Sequence, residues 1–198
     1  MANEYVERAT LKQSLGIETD DDTRDTQLDR ARAAASRSID KTCGRRFWLD
    51  SEAVQRTFRL QGRIVCEADG ELLLVDDIGS TTGLVVEAGS GASFTAVTGY
   101  ETSPDNALAD GKPISGLLRV QGTWGTATTR VRVTAQFGWP AVPDEIAEAA
   151  LIQAARLYKR KDSPEGVMGS AEWGVVRLSR RDPDVWALIE PHILPGFG

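Results

Sequence analysis

Apolar residues recur with two different periods along this chain. Leu28, Ala31, Ala35 and Ile39 stand three and four apart, the spacing that places side chains on one face of a helix. Arg24, Arg30, Arg32 and Arg37 are expected on its solvent side. One of Asp20, Asp21 and Asp22 is expected to cap its start, and Gly44 to end it. A second helical pattern runs through Ile146, Ala150, Ala154 and Leu157, with Ala147, Leu151 and Tyr158 beside them. Pro143 suits its first position, Asp144, Glu145 and Glu148 complement the positive N-terminus, and Lys159, Arg160 and Lys161 complement the other end. A shorter helix is predicted from Thr10 and Gln13, which have capping-box spacing, and Gly16 ends it.

Between these helices the period drops to two. Eleven of the 19 glycines fall between Gly62 and Gly125, which disfavours helix and implies many turns. Short β-type runs lie at 57–60, 63–66, 72–75, 84–86, 117–120 and 131–134. The last alternates apolar and polar residues as a half-buried strand does. Residues 52–137 therefore predict a β-sandwich or open barrel. After Lys161 the chain is punctuated by Gly166, Gly169 and Gly174. It carries a β-like run Val175-Val176-Arg177-Leu178, and Asp182-Pro183-Asp184 opens a last short helix bearing Val185, Leu188 and Ile189. The fold class expected is α+β, a small helical bundle interrupted by an inserted β domain. The segments are 1–50 (N-terminal helices), 51–137 (β insertion), 138–162 (core helix) and 163–198 (an extended C-terminal arm with a short helix).

Composition narrows the chemistry. The 198 residues carry 29 acids, 23 bases and a net charge of -6, whereas a nucleic-acid coat carries a basic surplus. No apolar run approaches the roughly 20 residues of a membrane span. Met1-Ala2-Asn3-Glu4-Tyr5 has neither the basic start nor the apolar core of a signal peptide. One histidine, His192, and two cysteines, Cys43 and Cys66, fall short of the four ligands of a structural zinc site. They also leave a serine or cysteine nucleophile without its usual base. The cysteines read as thiols, and neither a cofactor nor a metal site is expected.

Other clusters have a chemical and a plain reading. Asp76 and Asp77, with Glu71, could form a carboxylate site, but neighbours on a strand face opposite ways. Asp20–Asp22 lack the spacing and glycine of a calcium loop. Arg45 with Arg46, Arg180 with Arg181, and Lys159 to Lys161 could face DNA or a neighbouring subunit, or terminate helices. The run 166–169 lacks the Lys-Ser/Thr of a phosphate loop. Trp124, Trp139, Trp173 and Trp186 could stack sugars, or anchor a core or an interface. Trp173, Val175, Val176, Leu178, Trp186 and Leu188 make the tail too hydrophobic to stay solvated, so it is expected to bury against this protein's own core or against a partner, for example by strand addition.

The stretch from Phe137-Gly138-Trp139-Pro140-Ala141-Val142-Pro143-Asp144-Glu145-Ile146 through Leu151-Ile152-Gln153-Ala154-Ala155-Arg156-Leu157-Tyr158-Lys159-Arg160 resembles the head–tail connector (adaptor or head-completion) proteins of long-tailed bacteriophages. Asp162-Ser163-Pro164-Glu165-Gly166, Arg180-Arg181-Asp182-Pro183-Asp184-Val185 and Ile39-Asp40-Lys41-Thr42-Cys43-Gly44-Arg45-Arg46-Phe47 extend the likeness. Together it covers roughly 5–48 and 135–192. The resemblance implies a structural virion protein, not an enzyme. It would form a ring of about twelve subunits beneath the portal, with a tail-side stopper or tail terminator below and genomic DNA passing through. It would sit in the virion neck after assembly in the host cytoplasm. Residues 172–190 would be the arm reaching the portal, placing Trp173, Val175, Val176, Arg177, Leu178 and Trp186 at portal or subunit contacts. Arg45, Arg46, Lys159, Arg160 and Lys161 would face subunits or DNA. The glycine-rich β insertion departs from the smaller, nearly all-helical members. A tail-completion or stopper protein, or a carbohydrate-binding or adhesion module on the β insertion, are the alternative functions.

Overall fold

The structure, a computed structural model, describes residues 3–160 and 182–194, together with the paired backbone of 167–168 and 176–177. The fold is α+β: among the described residues four helices accompany a seven-stranded antiparallel sheet. The chain divides into two compact units, one formed by Met1–Arg46 and Val142–Gly198, the other by Phe47–Ala141.

The helical unit contains α1 (Arg8–Ser14), α2 (Asp25–Cys43), α3 (Asp144–Lys159) and α4 (Pro183–Ile189). The α2 stripe is buried as its spacing predicts: Leu28, Ala31, Ala35 and Ile39 are all in the core. α3 presents Ile146, Ala149, Ala150, Ala154 and Tyr158. Its face follows the i, i+4 row to Tyr158, so Leu157 is only half-buried. Alanines on both helices leave room for close approach of the backbones.

The helix starts differ from expectation. α1 begins two residues before Thr10, with Glu7 at the N-cap and no side-chain cap. The capping box is unused, because Val6 and Leu11, placed as a hydrophobic staple around that earlier start, are both buried. At its end Gly16 adopts φ 67°. Ile17 then donates to the Lys12 carbonyl at 2.9 Å and Gly16 to that of Gln13 at 3.2 Å, a Schellman closure. No aspartate of 20–22 caps α2. Asp21 accepts from the Thr23 amide at 3.0 Å instead, closing a turn, and the helix starts at Asp25. Pro143 sits at the N-cap of α3, one position ahead of its expected place. α4 starts as expected: the Asp182 carboxylate accepts from the amides of Asp184 at 3.0 Å and Val185 at 3.3 Å, with Pro183 following it.

The sheet unit contains β1 (Val54–Arg59), β2 (Ile64–Glu67), β3 (Gly70–Ser90), β4 (Ser93–Ala96), β5 (Glu101–Ser103), β6 (Ile114–Val120) and β7 (Arg130–Phe137). All six runs read from the sequence lie in or across strands. The runs 72–75 and 84–86, however, belong to one strand of 21 residues, β3. Its first part pairs with β2 and β6, and β6 pairs with β5. Its last part pairs with β4 and β7, and β7 pairs with β1. Ile78, at the change-over, opposes both Ile114 and Phe137, and the register breaks on either side of it. β3 thus serves two half-sheets whose inner faces share one core, including Phe58, Leu73, Ile78, Leu117, Val131, Val133 and Phe137. β4 and β5 escape a reading by pattern because they are short and mostly polar.

The two ends of this unit run side by side. Asp50 donates to the Phe137 carbonyl at 2.8 Å, and the rings of Phe47 and Trp139 lie 5.2 Å apart. Gly138, at φ 118°, passes so close to the incoming chain that a Cβ there would sit 1.9 Å from the Trp48 carbonyl oxygen. Gly138→Ala is therefore expected to destabilise the protein by about 3 kcal/mol or more in urea unfolding. Gly91→Ala, also at positive φ but in open space, should cost only about 1 kcal/mol. Equal effects would mean that crowding at 138 does not limit the fold.

Candidate functional site

The strongest concentration of paired charge lies where α1 meets α2. Glu4, Arg8 and Lys12 step by four along the first segment; Asp25, Asp29 and Arg32 step by four and three along α2. The two rows interlock. Lys12 is almost fully buried. Its Nζ donates to the Thr19 carbonyl at 3.0 Å and lies 2.7 Å from the Asp25 carboxylate. Arg8 binds Asp25 as well, and donates to Asp29 at 3.0 Å. Arg32 donates through Nε to the Val6 carbonyl and through its guanidinium to Asp29, each at 2.7 Å, and lies 3.8 Å from Glu4.

Arg32 is thus not on the solvent side. The segment before α1 lies over α2 and covers it: the Tyr5 amide donates to Ser36 Oγ at 3.1 Å, and its hydroxyl binds Asp40. Hydrogen bonds from Lys12 and Arg8 hold the Asp25 carboxyl below its ordinary pKa. Those that Arg8 donates to Asp25 and Asp29 raise its guanidinium. A solvent-open cavity of about 610 Å³ borders this seam, but its charges already answer one another. The seam clamps α1 and the segment before it to α2.

The residues expected at subunit or DNA contacts separate. Arg45 and Arg46 follow the C-terminus of α2, where helix carbonyls favour positive charge. Burial pushes the Cys43 thiol there up to about 11, against the opposing pull of Arg45. The Leu194 amide donates to the Cys43 carbonyl at 2.9 Å, tying the last described residue to α2. Lys159 and Arg160 are exposed at the end of α3. Lys161, Trp173, Val175, Leu178, Arg180 and Arg181 lie outside the described residues. Val176 and Arg177 appear only through their backbone, in a two-stranded ladder opposite Met168 and Val167.

Trp186 lies in the short helix predicted from Asp182-Pro183-Asp184. Within 172–190, the part from Asp182 onward is not extended. It forms α4, whose Val185 and Ile189 are buried in the helical unit. Arg156 of α3 meets Asp182 at 3.3 Å. Trp186 is half-buried beside a cavity of about 170 Å³ that Ile39, Thr42, Gln153 and Ile189 also line. An Asp cap, a following proline and two apolar residues four apart suffice to dock this turn.

The carboxylates do not converge. Asp76 pairs with Arg56 at 2.8 Å, Asp77 accepts from Trp139 Nε1 at 3.1 Å, and Glu71 accepts from the Trp124 amide at 2.8 Å. Trp124 and Trp139 are buried, so neither offers a ring face for sugar stacking. Among the described residues no group of three or more His, Cys, Asp or Glu is placed to hold a metal ion, and no helix is long and apolar enough to cross a membrane. The interlocking of α1 with α2 was the feature missed. Its signal was present in the two i, i+4 charge rows, which can be paired only once the helices are known to be neighbours.

His192 supplies a direct titration. Desolvation lowers its pKa from 6.5, opposed by nearby Glu145 and reinforced by Arg45. The folded state therefore binds this proton less tightly than the unfolded chain. Its stabilising share is full above about pH 6.5 and is lost as pH falls from there toward the folded pKa. NMR titration of this one imidazole should give a midpoint below 6.5, and His192→Gln should flatten the fall in Tm between pH 7 and 5. A midpoint at or above 6.5 would contradict the burial.

No known protein family matches the chain, and no curated protein sequence matches it. Solved structures do. The chain is similar to one from the neck of an empty gene transfer agent (GTA) particle computed with C6 symmetry: TM-score 0.57, 18% identity, 96% of this chain and 91% of that chain. It is also similar to one from the virion of a native GTA particle: TM-score 0.54, 21% identity, 96% of this chain and 89% of that chain. At these identities the likeness is one of fold, and it extends over nearly the whole length of both chains.

Proposed function

We propose that this chain is a structural protein of the neck of a phage-like particle and has no catalytic role. The observation that carries the reading is the likeness of fold, over 96% of this chain and 91% of the other, to a chain from a gene transfer agent neck. Separately partnered carboxylates and a thiol raised to about 11 supply no reactive constellation among the described residues. The buried Trp124 argues against a sugar-binding module.

In the finer form of this reading the helical unit is the connector core and the sheet unit is an insertion into it, with its two half-sheets acting as a small sandwich. Copies form a ring beneath the portal, and a tail-side neck protein docks below. Six-fold symmetry in the neighbour's particle is compatible with twelve subunits, since twelve is a multiple of six. An acid surplus suits a channel through which DNA slides without adhering. With α4 assigned to the helical unit, the portal-reaching arm narrows to 172–181.

Replacing residues 172–181 by a Gly–Ser linker should abolish co-sedimentation with portal-containing heads and leave Tm within a few degrees. Undiminished attachment would overturn the arm assignment. Failure of the unaltered protein to bind such heads would overturn the neck reading itself.

A further inference from the structure

The two half-sheets share one core, so their other faces point away from it, and these faces differ in character. On the half formed by β2, the start of β3, β6 and β5, the outward rows read Val65–Leu72–Leu118–Glu101 and Glu67–Gly70–Val120. Val65 and Val120 are exposed at 42% and 40%. Leu72 and Leu118 are half-buried and pack against no part of the sheet core. This is an aliphatic strip bordered by exposed Glu67 and Glu101, and its rows contain no base.

On the half formed by β4, the end of β3, β7 and β1, the outward rows read Phe94–Gly89–Arg130–Arg59 and Ala96–Glu87–Arg132–Thr57. The Arg132 guanidinium lies 3.5 Å above the Phe94 ring. Arg130 and Arg59 stand directly opposite each other, an arrangement that costs stability in an isolated sheet. Arg130 is steadied by donating to the Thr129 carbonyl at 2.9 Å; Arg59 is exposed and makes no ion pair among the described residues. Val85, at 46% exposure, adds an apolar contact on the same face. Three arginines against one acid, Glu87, make this face basic, whereas residues 47–141 as a whole contain eleven acids and seven bases.

We infer that these two faces bind each other between copies: the Glu67/Glu101-bordered aliphatic strip of one protomer seats on the Arg59/Arg130/Arg132 and Phe94 face of the next. The argument is complementarity in both charge and apolarity. Aliphatic side chains and a guanidinium-capped aromatic ring meet at the centre, with carboxylates and arginines around them. Because the faces differ and point away from a common core, the contact is heterologous. It propagates from copy to copy and closes into a ring when the rotation allows. The inference deepens the neck reading and rests on its homo-oligomeric ring, and it assigns the sheet unit a part in joining subunits.

Charge exchange tests it on the full-length chain by sedimentation velocity at low and high salt. Glu67→Arg with Glu101→Arg makes both faces basic; Arg59→Glu with Arg132→Glu makes both acidic. Each double variant alone should self-associate about 100-fold more weakly than the unaltered chain. Mixed in equal amounts they should assemble again, alternating around rings of even number. Circular dichroism of each variant checks that it is folded, and recovery on mixing is itself proof of folded partners. Rings that form equally well in each variant alone would overturn this contact and leave the neck reading standing. An unaltered chain that stays monomeric at every concentration would overturn the contact as well. Assembly that obeys the charge exchange while the rings ignore portal-containing heads would uphold the contact and overturn the neck reading.

Discussion

The constraint on which the rest depends is the crossing of two backbone segments at the base of the sheet unit. Phe47–Asp50 enters it and Phe137–Ala141 leaves it. The Asp50 amide donates to the Phe137 carbonyl at 2.8 Å, and the Gly138 amide to that of Asp77 at 2.8 Å. The Phe47 and Trp139 rings meet there at a tilt of 53°, and no side chain larger than hydrogen fits at Gly138. The incoming and outgoing chains are therefore held together. That matters because the helical unit is discontinuous: α2 precedes residues 47–141 and α3 follows them, yet their alanine-lined faces must pack. An insertion with separated ends would place the cost of closing a long loop on that packing.

Within the helical unit the same economy recurs. α1 and α4 have seven residues each, too short to be stable alone in water. Both are fixed from outside. α1 is held by the buried Lys12–Asp25 pair, by Arg32 on the Val6 carbonyl and by the Gly16 closure. α4 is held by Asp182 acting twice, as N-cap and as partner of Arg156, and by Val185 and Ile189 in the core. Such ion pairs gain little net free energy over apolar contacts, but losing one partner leaves the nearly buried Lys12 charge uncompensated. They suit short helices that could otherwise slide.

Much of the fold is legible from periodicity. The α2 stripe, the α3 helix, the Asp182-Pro183 start and six of the strand-forming runs follow from residue spacing alone. What is not legible has physical reasons. β3 reads as two runs because Gly79–Gly83 interrupts its apolar pattern, whereas in the fold the strand continues through it with a shift of register against β7. Thr10 and Gln13 spell a capping box that the Val6–Leu11 staple overrides. Arg32 reads as solvent-facing because the segment that covers it is remote in sequence. The candidate residues divide likewise. Arg45, Lys159 and Arg160 sit at helix ends as their clustering suggests, while Trp186 belongs to a docked helix. The two sheet faces need the register, since Glu67, Leu118 and Glu101 become neighbours only through β3 and β6.

The helical unit is clamped by charge and the sheet unit bears two unlike faces. The proposed place in the neck is tested most directly by cryo-electron microscopy of particles made with and without this chain. The account predicts a closed ring of copies between portal and tail, and DNA-filled, portal-bearing, tailless heads when the chain is missing. Tails joined normally in its absence, or density for the chain anywhere other than the neck, would contradict it.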